Sequence, residues 1–224
     1  MPPSALPSLS LLETRVLGVL VEKQLTTPDN YPLTLNSLVS GCNQKTSRHP
    51  LLNAGEGEVQ MALDALKRYT LVIDSYGASG RVMRYAHNLP KVLNLGQAMT
   101  ALLAALMLRG PQTAGELRTG SERMYQFIDI SSVEGYLEEG ALRPAGALVV
   151  KLAKQPGSRE HRWAHLLSGT VESDTHVAAD TTPDDGVTTG ELAALKANVA
   201  QLRDDVAELR SLIDRLYREL GVAR

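Results

Sequence analysis

The side chains best equipped for chemistry in this sequence are one thiol, Cys42, and five imidazoles, His49, His87, His161, His165 and His176. A nucleophilic cysteine needs a partner that raises its thiolate fraction. No residue is spaced to serve Cys42 in that way, so it reads as a packing residue. The histidines form no HExxH motif and share no acidic cluster at ligand spacing, which removes the common zinc arrangements. Gly55-Glu56-Gly57-Glu58 puts two carboxylates where a phosphate cradle needs bare amides. Glu22-Lys23 reads as a solvated or structural pair. No catalytic residue, cofactor site or metal site is assigned, and the chain is expected not to be an enzyme.

What remains is cationic chemistry that suits a polyanion. Lys45, Arg48 and His49 lie close together, as do Arg81 and Arg84, and Lys151, Lys154, Arg159 and Arg162. Such residues grip phosphates, which positions a protein on DNA without reading its sequence. Gln60 and Lys67 have the side-chain types that read base edges in the major groove. The charge balance restrains this reading, because 23 Lys+Arg stand against 25 Asp+Glu. By segment the counts are 8 against 7 over residues 1–90, 9 against 7 over 91–168, and 6 against 11 over 169–224, so no part is strongly basic. Aromatics are only 4% of the chain, with one Trp and one Phe, too few for the extended platform that single-strand binders use.

These side chains need elements to carry them, and the sequence supplies the same elements twice. Arg84-Tyr85-Ala86-His87 recurs as Arg162-Trp163-Ala164-His165, each copy after a Gly/Ser turn. In the first copy, Leu9, Leu12, Val16, Val19 and Leu20 fall at helical spacing. Thr34 is the N-cap of a second helix carrying Leu35, Leu38 and Val39. A third helix runs over residues 57–69, with Val59, Ala62, Leu63 and Leu66 inward. Strands over 71–73 and 81–87 then close a hairpin. The second copy begins at Leu95, with Met99, Leu102, Leu103 and Leu106 inward, and Thr113 to Glu116 forms a capping box that opens its second helix. Its third helix lies over residues 132–139, followed by strands over 147–152 and 161–166. The pattern predicts a mainly α fold with small β-hairpin wings, an α+β chain of tandem winged-helix domains at 10–90 and 91–168.

The third helices argue against base reading. Their exposed faces carry Glu56, Glu58 and Asp64 in the first copy and Glu134, Glu138 and Glu139 in the second, and carboxylates repel a polyanion.

Residues 169–189 hold no Leu, Ile or aromatic and many Thr, Ser and Asp, which predicts a flexible linker. From residue 190 to 220 a heptad follows. Leu192, Val199, Val206, Ile213 and Leu220 fall at a, and Leu195, Leu202, Leu209 and Leu216 at d. Leu at every d and β-branched residues at three a positions favour a parallel two-stranded coiled coil, and so a homodimer. Glu191 opposite Lys196 and Asp205 opposite Arg210 agree in sign. The same stripe would serve a helix folding back on its own chain, and the linker's length permits either.

Glu22-Lys23, Thr26-Thr27-Pro28, Tyr31-Pro32-Leu33, Cys42-Asn43-Gln44-Lys45 with Arg48, and Arg162-Trp163-Ala164-His165 together resemble the YceH-like family of uncharacterised bacterial proteins over residues 10–168. The resemblance implies a tandem winged-helix fold and brings no catalytic or ligand residues with it. Two functional classes follow. One is a transcription-regulator-like protein that binds double-stranded DNA mainly through phosphates. The other is a winged-helix scaffold that binds another protein and no DNA. A single cysteine excludes an intramolecular disulfide and suits a reducing compartment. No apolar run reaches the length of a membrane span, so the expectation is a cytoplasmic protein with no membrane partner.

Overall fold

The computed structural model describes residues 8–76, 82–154, 158 and 160–169. Arg81, Arg159, residues 170–189 of the linker and every heptad position from Leu192 to Leu220 lie outside the described residues.

Helix α1 (Leu11–Thr26) starts where Ser10 and Glu13 form a capping box, each satisfying the other's otherwise unpaired amide. Thr34 caps α2 (Leu35–Cys42) by accepting from Ser37 N, as its sequence position predicts. Helix α3 (Glu56–Arg68) follows a loop and buries Val59, Ala62, Leu63 and Leu66. Strands β1 (Val72–Tyr76) and β2 (Met83–His87) then pair antiparallel, with Val72 opposite His87. After a short helix α4 (Leu89–Leu93), the order repeats as α5 (Gln97–Arg109), β3 (Gln112–Thr113), α6 (Ala114–Ser121), α7 (Ile130–Ala141), β4 (Val149–Lys151) and β5 (Arg162–His165). The described residues are thus α+β, with helices and two small antiparallel sheets.

Three details depart from the expectation. Helix α4 has five residues, too few to print a helical period. Strand β3 has two, and it makes the second sheet three-stranded in the order β3, β5, β4. In the first half Leu33 does the same work as a single bridge to Tyr85, exchanging both backbone hydrogen bonds at 3.1 and 2.7 Å. The strand ends also shift, to 72–76 and 83–87 in the first hairpin and to 149–151 and 162–165 in the second.

The repeated Arg-aromatic-Ala-His motif now has a structural account. Tyr85 pairs with Leu33 and Trp163 with Gln112, so each aromatic joins its hairpin to the residue leading into a cap. Arg84 Nη1 donates to the Pro32 carbonyl at 2.8 Å, and Arg162 Nη1 donates to the Pro111 carbonyl at 3.2 Å. The motif is a latch between hairpin and second helix, built twice.

Helix α5 is apolar on every side, and all residues from Ala98 to Leu108 are buried. A helix of that kind must be surrounded. Its main neighbour is α1, and a Cβ on Gly18 would lie 3.0 Å from Leu108 Cγ. The buried residues of both halves form one continuous cluster, and Leu9 N donates across it to the Leu167 carbonyl at 2.8 Å. Among the described residues no helix is long and apolar enough to cross a membrane.

Candidate nucleic-acid interface

The loop from Asn43 to Gly55 is held from below by buried polar groups. Asn43 forms two hydrogen bonds with Ala54, donating to its carbonyl at 2.9 Å and accepting from its amide at 2.8 Å. Arg15, fully buried on α1, donates to the carbonyls of Cys42 and Pro50 at 3.1 and 2.7 Å. Burial, and Arg48 nearby, lower its pKa. Arg48 donates to both Glu22 oxygens at 3.1 and 2.6 Å and to the Gly41 carbonyl at 3.0 Å. Its side chain is wholly buried. The expectation that Arg48 contacts phosphate is therefore corrected: its donors face inward, and its task is to anchor the loop. Of the two readings the Glu22-Lys23 pair allowed, solvated or structural, Glu22 takes the structural one through Arg48, with Lys23 3.7 Å away as a weaker second partner.

That anchoring presents His49, which is exposed, and His49 N donates to the Leu108 carbonyl at the end of α5 at 2.8 Å. An open groove of about 1030 Å³ follows, lined by His49 from the first half and by Arg109, Gln112, Glu116, Thr119 and Arg162 from the second. Arg109 Nη2 donates to Ser47 Oγ at 3.2 Å, which ties the groove's two sides together. Arg162 lies 3.5 Å from Glu116, whose other oxygen accepts from the Thr113 amide as the capping-box partner. Two guanidinium groups and an imidazole thus share the groove with one carboxylate, and one of those guanidinium groups, Arg162, is paired with it.

The remaining sequence candidates are distributed differently. Lys45, Lys151 and Lys154 are exposed, Lys151 with its ammonium 5.4 Å from the centre of the Trp163 ring. Gln60 is engaged on both ends, accepting from Tyr85 Oη at 3.1 Å and donating to Asp64 at 3.0 Å. Lys67 sits between Asp64 and Asp74 at 3.0 and 3.3 Å, and Arg84 is tied to Pro32. The structure thus brings His49 and Arg162 to one groove, Arg162 held by Pro111 and Glu116 as Arg84 is held by Pro32, while Gln60 and Lys67 are engaged with Tyr85, Asp64 and Asp74. Arg109 is the groove residue that sequence reasoning missed. As the last residue of an apolar helix it reads as a helix-end charge, and only the fold puts it opposite Ser47.

The other reactive side chains are enclosed. Burial pushes the Cys42 thiol up to about 11, against the opposing pull of Arg15 and Arg48. Burial likewise lowers both repeated histidines, His87 and His165, to about 4. His87 Nε2 lies 2.5 Å from Gln24 Oε1, and its ring meets Tyr31 edge-on at 6.1 Å between centroids. Among the described residues no group of three or more His, Cys, Asp or Glu is placed to hold a metal ion.

An α+β body with a doubled helix-hairpin order and a cationic groove between its halves is the class this geometry defines. The chain belongs to the family described as protein of unknown function, DUF480, whose model matches residues 9–158. It is 52% identical over 220 residues to a UPF0502 protein of Burkholderia multivorans, covering 98% of this chain and 92% of that one. It is 55% identical over 219 residues to a UPF0502 protein of Methylibium petroleiphilum, covering 98% and 93%.

Proposed function

We propose that residues 10–90 and 91–168 are winged-helix modules and that the protein binds double-stranded DNA through its phosphates. The observation that carries this reading is the groove where His49 of one half meets Arg109 and Arg162 of the other. Helix-turn-helix proteins ordinarily send the third helix into the major groove. Here α3 has its readers tied up and α7 carries no base-reading cation, so phosphate contacts from the groove, Lys45, Lys151 and Lys154 dominate. Binding is then weakly selective for sequence and steeply dependent on salt. The heptad after residue 190 joins two copies, and the function is one of binding without catalysis.

The test is a salt titration of the full chain on random-sequence duplex DNA, read by fluorescence anisotropy. The logarithm of affinity should fall with the logarithm of salt by about 0.9 for each phosphate neutralised. Arg109→Ala and Lys154→Ala should each weaken all sequences alike and flatten that slope by about 1. A wild-type protein that fails to bind even at about 50 mM salt would remove the reading, since non-specific phosphate affinity is strongest there. Light scattering on the full chain should give twice the monomer mass, and a monomer would remove the dimer.

A further inference from the structure

The two guanidinium groups of the groove are held differently. Arg162 is engaged on both sides, by the Pro111 carbonyl at 3.2 Å and by Glu116 at 3.5 Å. Arg109 has no carboxylate partner among the described residues, and its one acceptor there is Ser47 Oγ at 3.2 Å. A guanidinium carries five N–H donors in a fixed fork, so most of those on Arg109 are left for a ligand. Arg109 is the uncompensated charge of the groove, and whatever holds its fork in place decides what the groove can bind.

The support comes from the next helix. Arg109 ends α5, and Gly110 turns the chain there with a φ of 75°, a left-handed conformation that favours glycine. Helix α6 then runs Gly115, Glu116, Thr119 and Gly120 along the groove, positions that helical spacing puts on one face. On that face Gly120 lies against the guanidinium. A Cβ there would meet Arg109 Nη1 inside contact distance and lie 3.2 Å from its Cζ, with Gln112 Oε1 3.5 Å away.

Glycine is a poor helix residue, and alanine in its place ordinarily gains stability. The two glycines on this face differ in what requires them. A Cβ on Gly115 finds its nearest neighbours at 3.9 Å, an ordinary contact. At Gly120 the space is taken by the far end of a flexible side chain, so an alanine at 120 expels the guanidinium and leaves the fold intact.

We propose that Gly120 is the positioning residue of the groove: the side chain it lacks leaves a seat for the Arg109 guanidinium, and the seat holds that charge where a phosphate of DNA meets it. The proposal rests on the phosphate reading above and adds the residue that tunes it. Glycine at 120 is kept at a cost in helix stability for the sake of binding, a trade that functional sites often show.

The test is a double-mutant cycle on the full chain, read by anisotropy on random-sequence duplex DNA at about 50 mM salt. Gly120→Ala should weaken binding about threefold and flatten the salt slope by up to about 1, because one phosphate contact is loosened. In an Arg109→Ala background the same substitution should change neither, since the alanine then displaces nothing that binds. The melting temperature of Gly120→Ala should hold or rise by about 2 °C. Gly135→Ala, on α7 outside the groove, should give a similar gain with binding unchanged. Equal losses of affinity in the two backgrounds, no loss in either, or a fall in melting temperature would make Gly120 a packing residue and overturn the proposal. A wild-type chain that binds no DNA removes the phosphate reading, and the seat is then read on Arg109 itself. Its Nε–Hε signal in arginine-labelled protein, assigned through Arg109→Lys, should shift in Gly120→Ala and stay fixed in Gly135→Ala. An unmoved signal overturns the seat as well.

Discussion

Arg48 and Arg162 each pair with a glutamate, one in each half of the body, and the two pairs differ in nearly everything else. Arg48 holds Glu22 at 2.6 Å with its side chain wholly buried. Arg162 holds Glu116 at 3.5 Å with the two side chains 42% and 48% exposed. The first pair anchors a loop, whereas the second decorates a groove. The third helices diverge in the same direction. Asp64 and Lys67 on α3 pair with each other, and Lys67 also reaches Asp74, while α7 leaves three carboxylates in solvent. A repeated order of elements thus shares its latch and differs in how its surface charges are paired.

The largest effect that sharpens this contrast is on stability. Arg48→Ala strands Glu22 in a largely buried place and should cost about 3–5 kcal/mol. Arg162→Ala removes an exposed pair and should cost under about 1 kcal/mol. Urea unfolding of the two variants side by side measures the difference, and equal losses would break the comparison.

The next prediction concerns what the halves share. His87 and His165 have pKa values near 4 in the fold, against 6.5 for an ordinary ring. Above about 6.5 both rings are neutral in folded and unfolded chains alike, so their contribution is constant. As pH falls toward 4 only the unfolded chain takes up the protons. Stability should therefore drop across that window, by up to about 3 kcal/mol per ring, and level off below it. His87→Gln and His165→Gln should each remove about half of the two rings' contribution to the slope. A slope confined to one of them would show that the latch is not equivalent in the two copies.

The smallest effect has the opposite sign. A Cβ on Gly135, on exposed α7, meets nothing within 4 Å, and replacing a mid-helix glycine with alanine gains about 0.5–1 kcal/mol. Gly41 on α2 is the counter-case. Its Cβ would lie 2.6 Å from Val19 Cγ1, so Gly41→Ala should lower the melting temperature while Gly135→Ala raises it.

Much of this architecture was legible because local signals agreed with each other. Thr34 and the Thr113–Glu116 box marked helix starts that the structure retains, and the repeated Arg-aromatic-Ala-His motif located both hairpins. Strand β3 and helix α4 were too short to leave a period. The groove was legible only in part. Lys45, Arg48 and His49 read as one basic cluster, but charge type carries no information about depth, and the fold turned Arg48 inward and His49 outward. Arg109 could not be assigned from sequence, because its partner Ser47 is 62 residues away.

The bond from Leu9 N to the Leu167 carbonyl brings the beginning and end of this body within hydrogen-bonding distance, and Gly169 lies against Ser8 there as well. Folds whose ends meet tolerate circular permutation. A short Gly/Ser bridge from 169 to 8, with the chain reopened between β1 and β2, would keep every latch and the α1–α5 contact. The order in which the two halves are translated is then a matter of history, and the folded body is defined by which surfaces touch.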